Sequence, residues 1–157
     1  AIVRTNSNEH DESGYTTDDP ELTTKMTDKR FKKLDALIRD LENYETTKLY
    51  GPLEADVTIL GWGSTKGPIR EAMKQLSKED LKINYLQIIY LNPFPVAKVQ
   101  RILKSAKKTV VVEHNKTSQL SSLIREHLLM TDDHKILKYN GRPFNPREIS
   151  QKIKRVL

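Results

Sequence analysis

The apolar positions of this chain recur in two alternating rhythms. Val57 to Leu60 is a short, β-branched apolar run that reads as a strand buried on both faces. Gly61 and Gly63 follow, then Ser64, Thr65 and Gly67, and Pro68 suits the first turn of a helix. Ile69, Ala72, Met73 and Leu76 then recur at i, i+3, i+4, i+7, the spacing of one helix face. The same succession returns. Ile83 to Leu91 is a second apolar run, and a helix from Pro95 aligns Val96, Val99, Leu103 and Ala106. Thr109 to Val112 is a third strand, followed by a helix carrying Leu120, Leu123, Ile124, His127 and Leu128. Lys135 to Tyr139 is the last strand. Asn145 then caps a helix with Pro146 at its start, Glu148 at capping-box spacing, and Ile149, Ile153, Val156 and Leu157 inside. Four strand–helix alternations predict an α/β fold: a three-layer, Rossmann-like open sheet, mostly parallel.

The segment before these repeats is organised differently. Residues 1–19 are polar and lack periodicity. Asp19, Pro20 and Glu21 then form a helix start, with an N-cap, a proline at the first position and an acid in the first turn. That helix is expected to run to about Leu41, with Leu22, Met26, Leu34, Leu37, Ile38 and Leu41 as its stripe. A short extra strand fits Lys48–Tyr50. The expected division is an arm and connector helix over residues 1–47, leading from an upstream domain, and an α/β domain over residues 48–157. Glu9, His10, Asp11 and Glu12 have the donor types of a metal site. Four consecutive side chains diverge, however, so a solvated linker is the expected reading.

Composition narrows the function classes. The chain has 157 residues, enough for one domain with a real core. It contains no cysteine, which excludes disulfides, thiolate zinc sites and a cysteine-held iron–sulfur cluster. That usage fits a cytoplasmic setting, and no apolar run approaches a membrane span. The net charge of +6 raises the possibility of nucleic-acid binding. Its cations are dispersed over separate helices and are not interleaved with aromatics, as a stacking platform requires.

In a parallel sheet, ligands and partners meet the loops at the strands' carboxyl ends. Here those loops are Gly61–Gly67, Asn92–Pro95, Glu113–Ser118 and Asn140–Pro143. Gly63, Ser64, Lys66 and Gly67 are candidates for an anion cradle at a helix N-terminus. The loop fails both nucleotide fingerprints: the third glycine comes one residue late for dinucleotides, and Lys66 precedes Gly67 where the P-loop has glycine before lysine. Glycines that admit close strand–helix packing are the competing explanation. No catalytic set emerges, since Ser64 is not in a G-x-S-x-G elbow. His127 is expected in or just below the core, and Glu113 and His114 should diverge.

Four ordered blocks carry a family resemblance. They are Gly61-Trp62-Gly63-Ser64-Thr65-Lys66-Gly67-Pro68-Ile69; Leu91-Asn92-Pro93-Phe94-Pro95; Val112-Glu113-His114-Asn115 with Gln119-Leu120; and Tyr139-Asn140-Gly141-Arg142-Pro143-Phe144. Together they resemble the core domain of the alpha subunit of 2-oxoacid:ferredoxin oxidoreductases, and residues 8–14 with Lys25, Met26, Lys29 and Arg30 resemble its connecting arm. Ser118 departs from the pattern, which more often has glycine there. The resemblance implies a fold similar to the transketolase C-terminal domain. It also implies a complex that decarboxylates a 2-oxoacid to acyl-CoA and reduces ferredoxin, using thiamine diphosphate, Mg²⁺, an iron–sulfur cluster and coenzyme A. This chain is then expected to bind none of these cofactors. It would act as scaffold and interface toward the beta subunit and the upstream domains, inactive alone. A stand-alone Rossmann-like binding module and a nucleic-acid-associated protein are the alternatives.

Glu113, Asn115 and Gln119 are the expected interface residues. Glu113 and Asn115 are two apart and share a face if the strand persists, and Gln119 comes round on the first helical turn. The competing reading is that Asn115 and Thr117 cap the helix.

Overall fold

The computed structural model describes residues 7–77 and 81–157. It divides into two compact units, Ala1–Tyr44 and Glu45–Leu157, the boundary falling just before the first strand.

The first unit is built on helix α1 (Pro20–Leu41), whose N-cap is Asp19, with its carboxylate accepting the Leu22 N–H at 2.7 Å. The polar arm before it is more ordered than its composition suggests. Asp11 accepts N–H groups from Ser13 and Tyr15, which closes a tight turn, and His10 bridges to Thr16. Glu9 meets Arg30 at 2.8 Å and Glu12 lies near Lys25 and Lys29. Two of the expected metal-type carboxylates are therefore ion-paired with helix α1. Residues 1–6 of the arm lie outside the described residues.

The second unit holds a five-stranded sheet. Its strands are β1 (Thr47–Tyr50), β2 (Val57–Trp62), β3 (Ile83–Ile88), β4 (Thr109–Glu113) and β5 (His134–Leu137). In space they run β1-β3-β2-β4-β5. The last four in sequence are mutually parallel, and β1 pairs antiparallel with β3, Tyr50 opposite Tyr85. Strand β3 stops at Ile88, three residues short of the apolar run. Beyond it the chain turns toward a cis Asn92–Pro93 bond. Strand β5 likewise ends two residues before Tyr139.

Helices cover both faces. After a 3₁₀ turn at Gly63–Thr65 come α2 (Lys66–Leu76), α3 (Val96–Ser105), α4 (Gln119–Leu128) and α5 (Pro146–Lys154). Alternation along each strand assigns the faces. Val57, Ile59, Val110, Val112 and Ile136 pack with α2 and α5 residues such as Ile69, Leu76, Ile149 and Ile153. Leu60, Leu86 and Val111 pack with α3 and α4 residues such as Val99, Leu103, Leu120 and Ile124. Each fully buried aliphatic side chain contributes about 1.5–3 kcal/mol, so the two layers fix the sheet between them. His127 departs from expectation: it is exposed on α4 and stacks on Phe94, ring centroids 5.0 Å apart.

Candidate functional site at the strand switch

The chain runs from β2 to β3 on one side, then crosses back to place β4 on the other side of β2. The crevice between the carboxyl ends of β2 and β4 is therefore the point where strand order reverses, the usual binding locus of open α/β sheets. The two strands pair as far as Leu60 and Val111, then run on to Trp62 and Glu113.

Glu113 is the hub of that crevice. It has the strand parity of Val111, so its side chain faces the α3–α4 layer, and it is 0% exposed. Its Oε1 accepts from Trp62 Nε1 at 3.1 Å, Asn115 Nδ2 at 3.0 Å and the Leu120 N–H at 2.9 Å. Its Oε2 accepts from the Ser118 hydroxyl and the Leu120 N–H, both at 3.1 Å. Donors only, converging on two oxygens, are the surroundings of an ionised carboxylate. Leu120 lies in the first turn of α4, so Glu113 supplies the cap that the helix would otherwise take from its own N-cap residue, and the carboxylate's charge suits that end of the helix dipole.

Ser118 occupies that N-cap position in the left-handed region, φ 53°, with no capping bond of its own. This is where the resemblance favours glycine, and the backbone supplies the reason. Serine is retained here by its contacts: the hydroxyl, 2% exposed, joins Glu113 and lies 2.6 Å from that of Ser121. Ser118→Ala keeps the strain and loses a hydrogen bond to a carboxylate, at a cost of about 2 kcal/mol. Ser118→Gly relieves about 1–2 kcal/mol of left-handed strain, so it should stay within about 1 kcal/mol of the parent in urea unfolding.

Of the three expected interface residues, Glu113 is thus buried, Asn115 half-buried and Gln119 exposed. The strand ends at Glu113. Asn115 reaches back to it while accepting the Gln119 N–H at 3.3 Å. Asn115 and Gln119 line a cleft of about 220 Å³ with Trp62, Gly63, Ser64 and His114. Ser64 and His114 also border a larger opening of about 440 Å³, completed by Lys138, Tyr139, Gly141, Arg142 and Pro143. The Asn92–Pro95 loop lines neither.

His114 diverges from Glu113. Its ring stacks on Phe144 at 4.6 Å and its Nε2 accepts the Phe144 N–H at 3.1 Å, which leaves Nδ1 to carry the proton of the neutral ring. Nothing couples Ser64 to that imidazole. Thr65 is likewise engaged, donating to the Trp62 carbonyl. Beneath the larger opening, Lys138 meets Glu148 at 2.6 Å; that contact, ahead of other causes, holds the Glu148 carboxyl below its ordinary range. The arrangement offers amides, a hydroxyl and cationic side chains for recognition, and no nucleophile–base pair.

The glycine loop splits into two kinds of position. A Cβ at Gly61 would lie 2.9 Å from both Ile69 Cδ1 and Thr65 Oγ1, so that glycine serves close strand–helix packing. Gly63, at φ +56°, and Gly67 face open space. Gly63 and Ser64 lie in the cleft, whereas the Lys66 ammonium sits 5.7 Å from the Tyr50 ring. The proposed anion set is therefore not gathered in one place.

Residues 55–149 match the family model for pyruvate:ferredoxin oxidoreductase core domain II. The chain is 38% identical over 149 residues, 95% of its length, to 2-oxoacid:ferredoxin oxidoreductase 2 subunit alpha of Aeropyrum pernix. It is 33% identical over its full length to the 2-oxoacid:ferredoxin oxidoreductase subunit alpha of Saccharolobus solfataricus. This chain belongs to the 2-oxoacid:ferredoxin oxidoreductase alpha-subunit family. It spans about a quarter of each of these relatives: 23% of the first and 25% of the second.

Solved structures agree. A 2-oxoglutarate:ferredoxin oxidoreductase from Magnetococcus marinus, with 2-oxoglutarate, coenzyme A and succinyl-CoA bound, superposes with TM-score 0.77 and 35% identity. The match covers 94% of this chain and 25% of that one. The alpha chain of a probable 2-oxoacid ferredoxin oxidoreductase from Thermoplasma acidophilum gives TM-score 0.52 and 37% identity, over 72% of this chain and 97% of that one. A split-gene transketolase, at 17% identity and TM-score 0.58, shares the fold. Among the described residues, no helix is long and apolar enough to cross a membrane.

Proposed function

We propose that this chain serves as the core scaffold domain of the alpha subunit in a cytoplasmic 2-oxoacid:ferredoxin oxidoreductase, and that the cleft at the strand switch docks a neighbouring domain or the beta subunit. The complex would convert a 2-oxoacid to acyl-CoA and pass electrons to ferredoxin. The observation that carries this reading is the build of the cleft. Asn115, whose amide is held by buried Glu113 and by the Gln119 N–H, lines it with the exposed Gln119 side chain beside Trp62, and no acid–base or nucleophilic set gathers there among the described residues. Amide side chains can donate to and accept from the exposed backbone of a partner.

The implied cofactors do not fit the donor set of this chain. It has no cysteine for an iron–sulfur cluster, and no three His, Asp or Glu side chains gather among the described residues to hold Mg²⁺. A diphosphate cradle is equally poorly supplied, because the Lys66 ammonium lies over Tyr50 instead of along the cleft. This reading assigns thiamine diphosphate, Mg²⁺ and the cluster to other parts of the complex. In this reading the glycine loop packs and docks.

The test is made in the whole complex. Asn115→Ala with Gln119→Ala should lower the assembled fraction in size-exclusion chromatography with light scattering, while the enzyme that remains assembled keeps near-normal turnover. Intact assembly with a thousandfold fall in turnover, about 4 kcal/mol of barrier, would instead make the cleft catalytic.

A further inference from the structure

A second surface lies at the other end of the sheet, where β5 is the last strand among the described residues. The Lys138 N–H donates to the Glu113 carbonyl, so the backbone of Lys138 and, by alternation, of Ile136 turns toward β4. Lys135 and Leu137 consequently present their N–H and C=O groups outward. An open groove of about 560 Å³ runs along this edge. Leu137 and Val156 give it apolar ground, and its lining holds four cations, Lys116, Lys135, Lys152 and Arg155, with no acid among them.

Those cations are incompletely compensated. Lys135 reaches Asp132 only at 3.8 Å and Lys152 reaches Glu148 at 3.7 Å. Among the described residues, Lys116 and Arg155 form no ion pair, and the Lys116 ammonium lies 6.0 Å from the Tyr139 ring centre. A lysine on an edge strand ordinarily deters strand addition. Four cations around one edge repel a second copy of the same edge as well, and they select an incoming strand of opposite sign.

From this we infer that the β5 edge is a docking surface for an extended, acidic segment of a partner protein. The segment adds as a strand, its backbone pairing with Lys135 and Leu137. Alternate side chains fall on the two sides of the sheet, one row meeting Lys152, Arg155 and Val156 on the α5 side and the other meeting Lys135 and Leu137. The charge contribution makes the association sensitive to salt.

The probe is a fluorescein-labelled, end-blocked Glu-Val-Glu-Val-Glu-Val peptide titrated into the 157-residue chain by fluorescence anisotropy. Saturable binding is expected, weakened at least tenfold by the double variant Lys152→Glu with Arg155→Glu, with amide shifts at Lys135 and Leu137 in ¹⁵N spectra. Lys116→Glu on the other rim gives the same answer should the double variant lose its cooperative melt. A peptide N-methylated at alternate residues should not bind. Equal binding by that peptide overturns strand addition. Absence of binding, or binding of pyrophosphate at this groove in place of the peptide, overturns the inference altogether.

Discussion

Glu113→Ala should destabilise the folded chain by about 2–6 kcal/mol, the sum of two donors left unmatched at about 1–3 kcal/mol each. The donors are the Leu120 N–H, the Ser118 hydroxyl, Trp62 Nε1 and Asn115 Nδ2, and the side chain they share is wholly buried. Ser118 can turn its hydroxyl to Ser121 and half-buried Asn115 can rotate its amide to water, so the larger losses are the buried Leu120 N–H and the indole N–H of half-buried Trp62, which is fixed in its ring. Glu113→Gln should cost far less, about 1–2 kcal/mol. Its amide oxygen can take the place of Oε1, and its NH₂ can donate to the Ser118 oxygen. Trp62 is the sole tryptophan, so its emission reports the change directly in a urea titration. A cost under about 1 kcal/mol for the alanine variant would mean that the carboxylate is not what joins β2, β4 and α4.

Glu113 also marks how far the sequence could be read. A loop position just past Thr109–Val112 is what the sequence suggests, whereas the structure makes Glu113 the last residue of β4. Its burial was not legible: an interface position was expected, whereas the strand persists through Glu113 and turns its side chain, with the parity of Val111, into the α3–α4 layer. What a linear reading does not provide is the partner. Trp62 lies 51 residues away, and only the strand order brings it alongside. The helix starts at Asp19 and Asn145 were legible because cap, proline and first-turn acid are local signals, and both caps accept the expected backbone N–H groups. Strand ends were less legible. Tyr90 and Leu91 extend the apolar run of β3, yet the chain leaves the sheet after Ile88, where β2 ends beside it. His127 misled for a different reason. It has the helical spacing of the inner face but lies near the helix end, where its ring covers Phe94 from outside. Ser118 itself carries no conformational signal, since the residue type that marks a left-handed position stands there only in the family pattern, and side-chain contacts replace it here.

Gly51→Ala should be the more damaging of two matched glycine substitutions, at about 3–5 kcal/mol, against about 1–2 kcal/mol for Gly141→Ala. Both glycines have positive φ, +97° and +75°, so both replacements incur backbone strain. They differ in what a Cβ meets. At Gly141 nothing lies within 4 Å, whereas at Gly51 the Ile83 carbonyl oxygen is 2.6 Å away and the Asn84 Cα 3.2 Å. Those are backbone atoms of β3, and they cannot yield by changing a rotamer. Relief requires the turn after β1 to lift from β3, which pulls on the Tyr50–Tyr85 stack at 5.7 Å and on the Asn84 bonds to the carbonyls of Pro52 and Leu53. β1 is a four-residue antiparallel edge strand, so it has few other contacts with which to hold its register. Urea midpoints at constant slope give the comparison. Equal costs for the two variants would show that the close approach of Gly51 to Ile83 does not restrain β1. A lowered slope for Gly51→Ala alone would show β1 detached from an otherwise folded sheet.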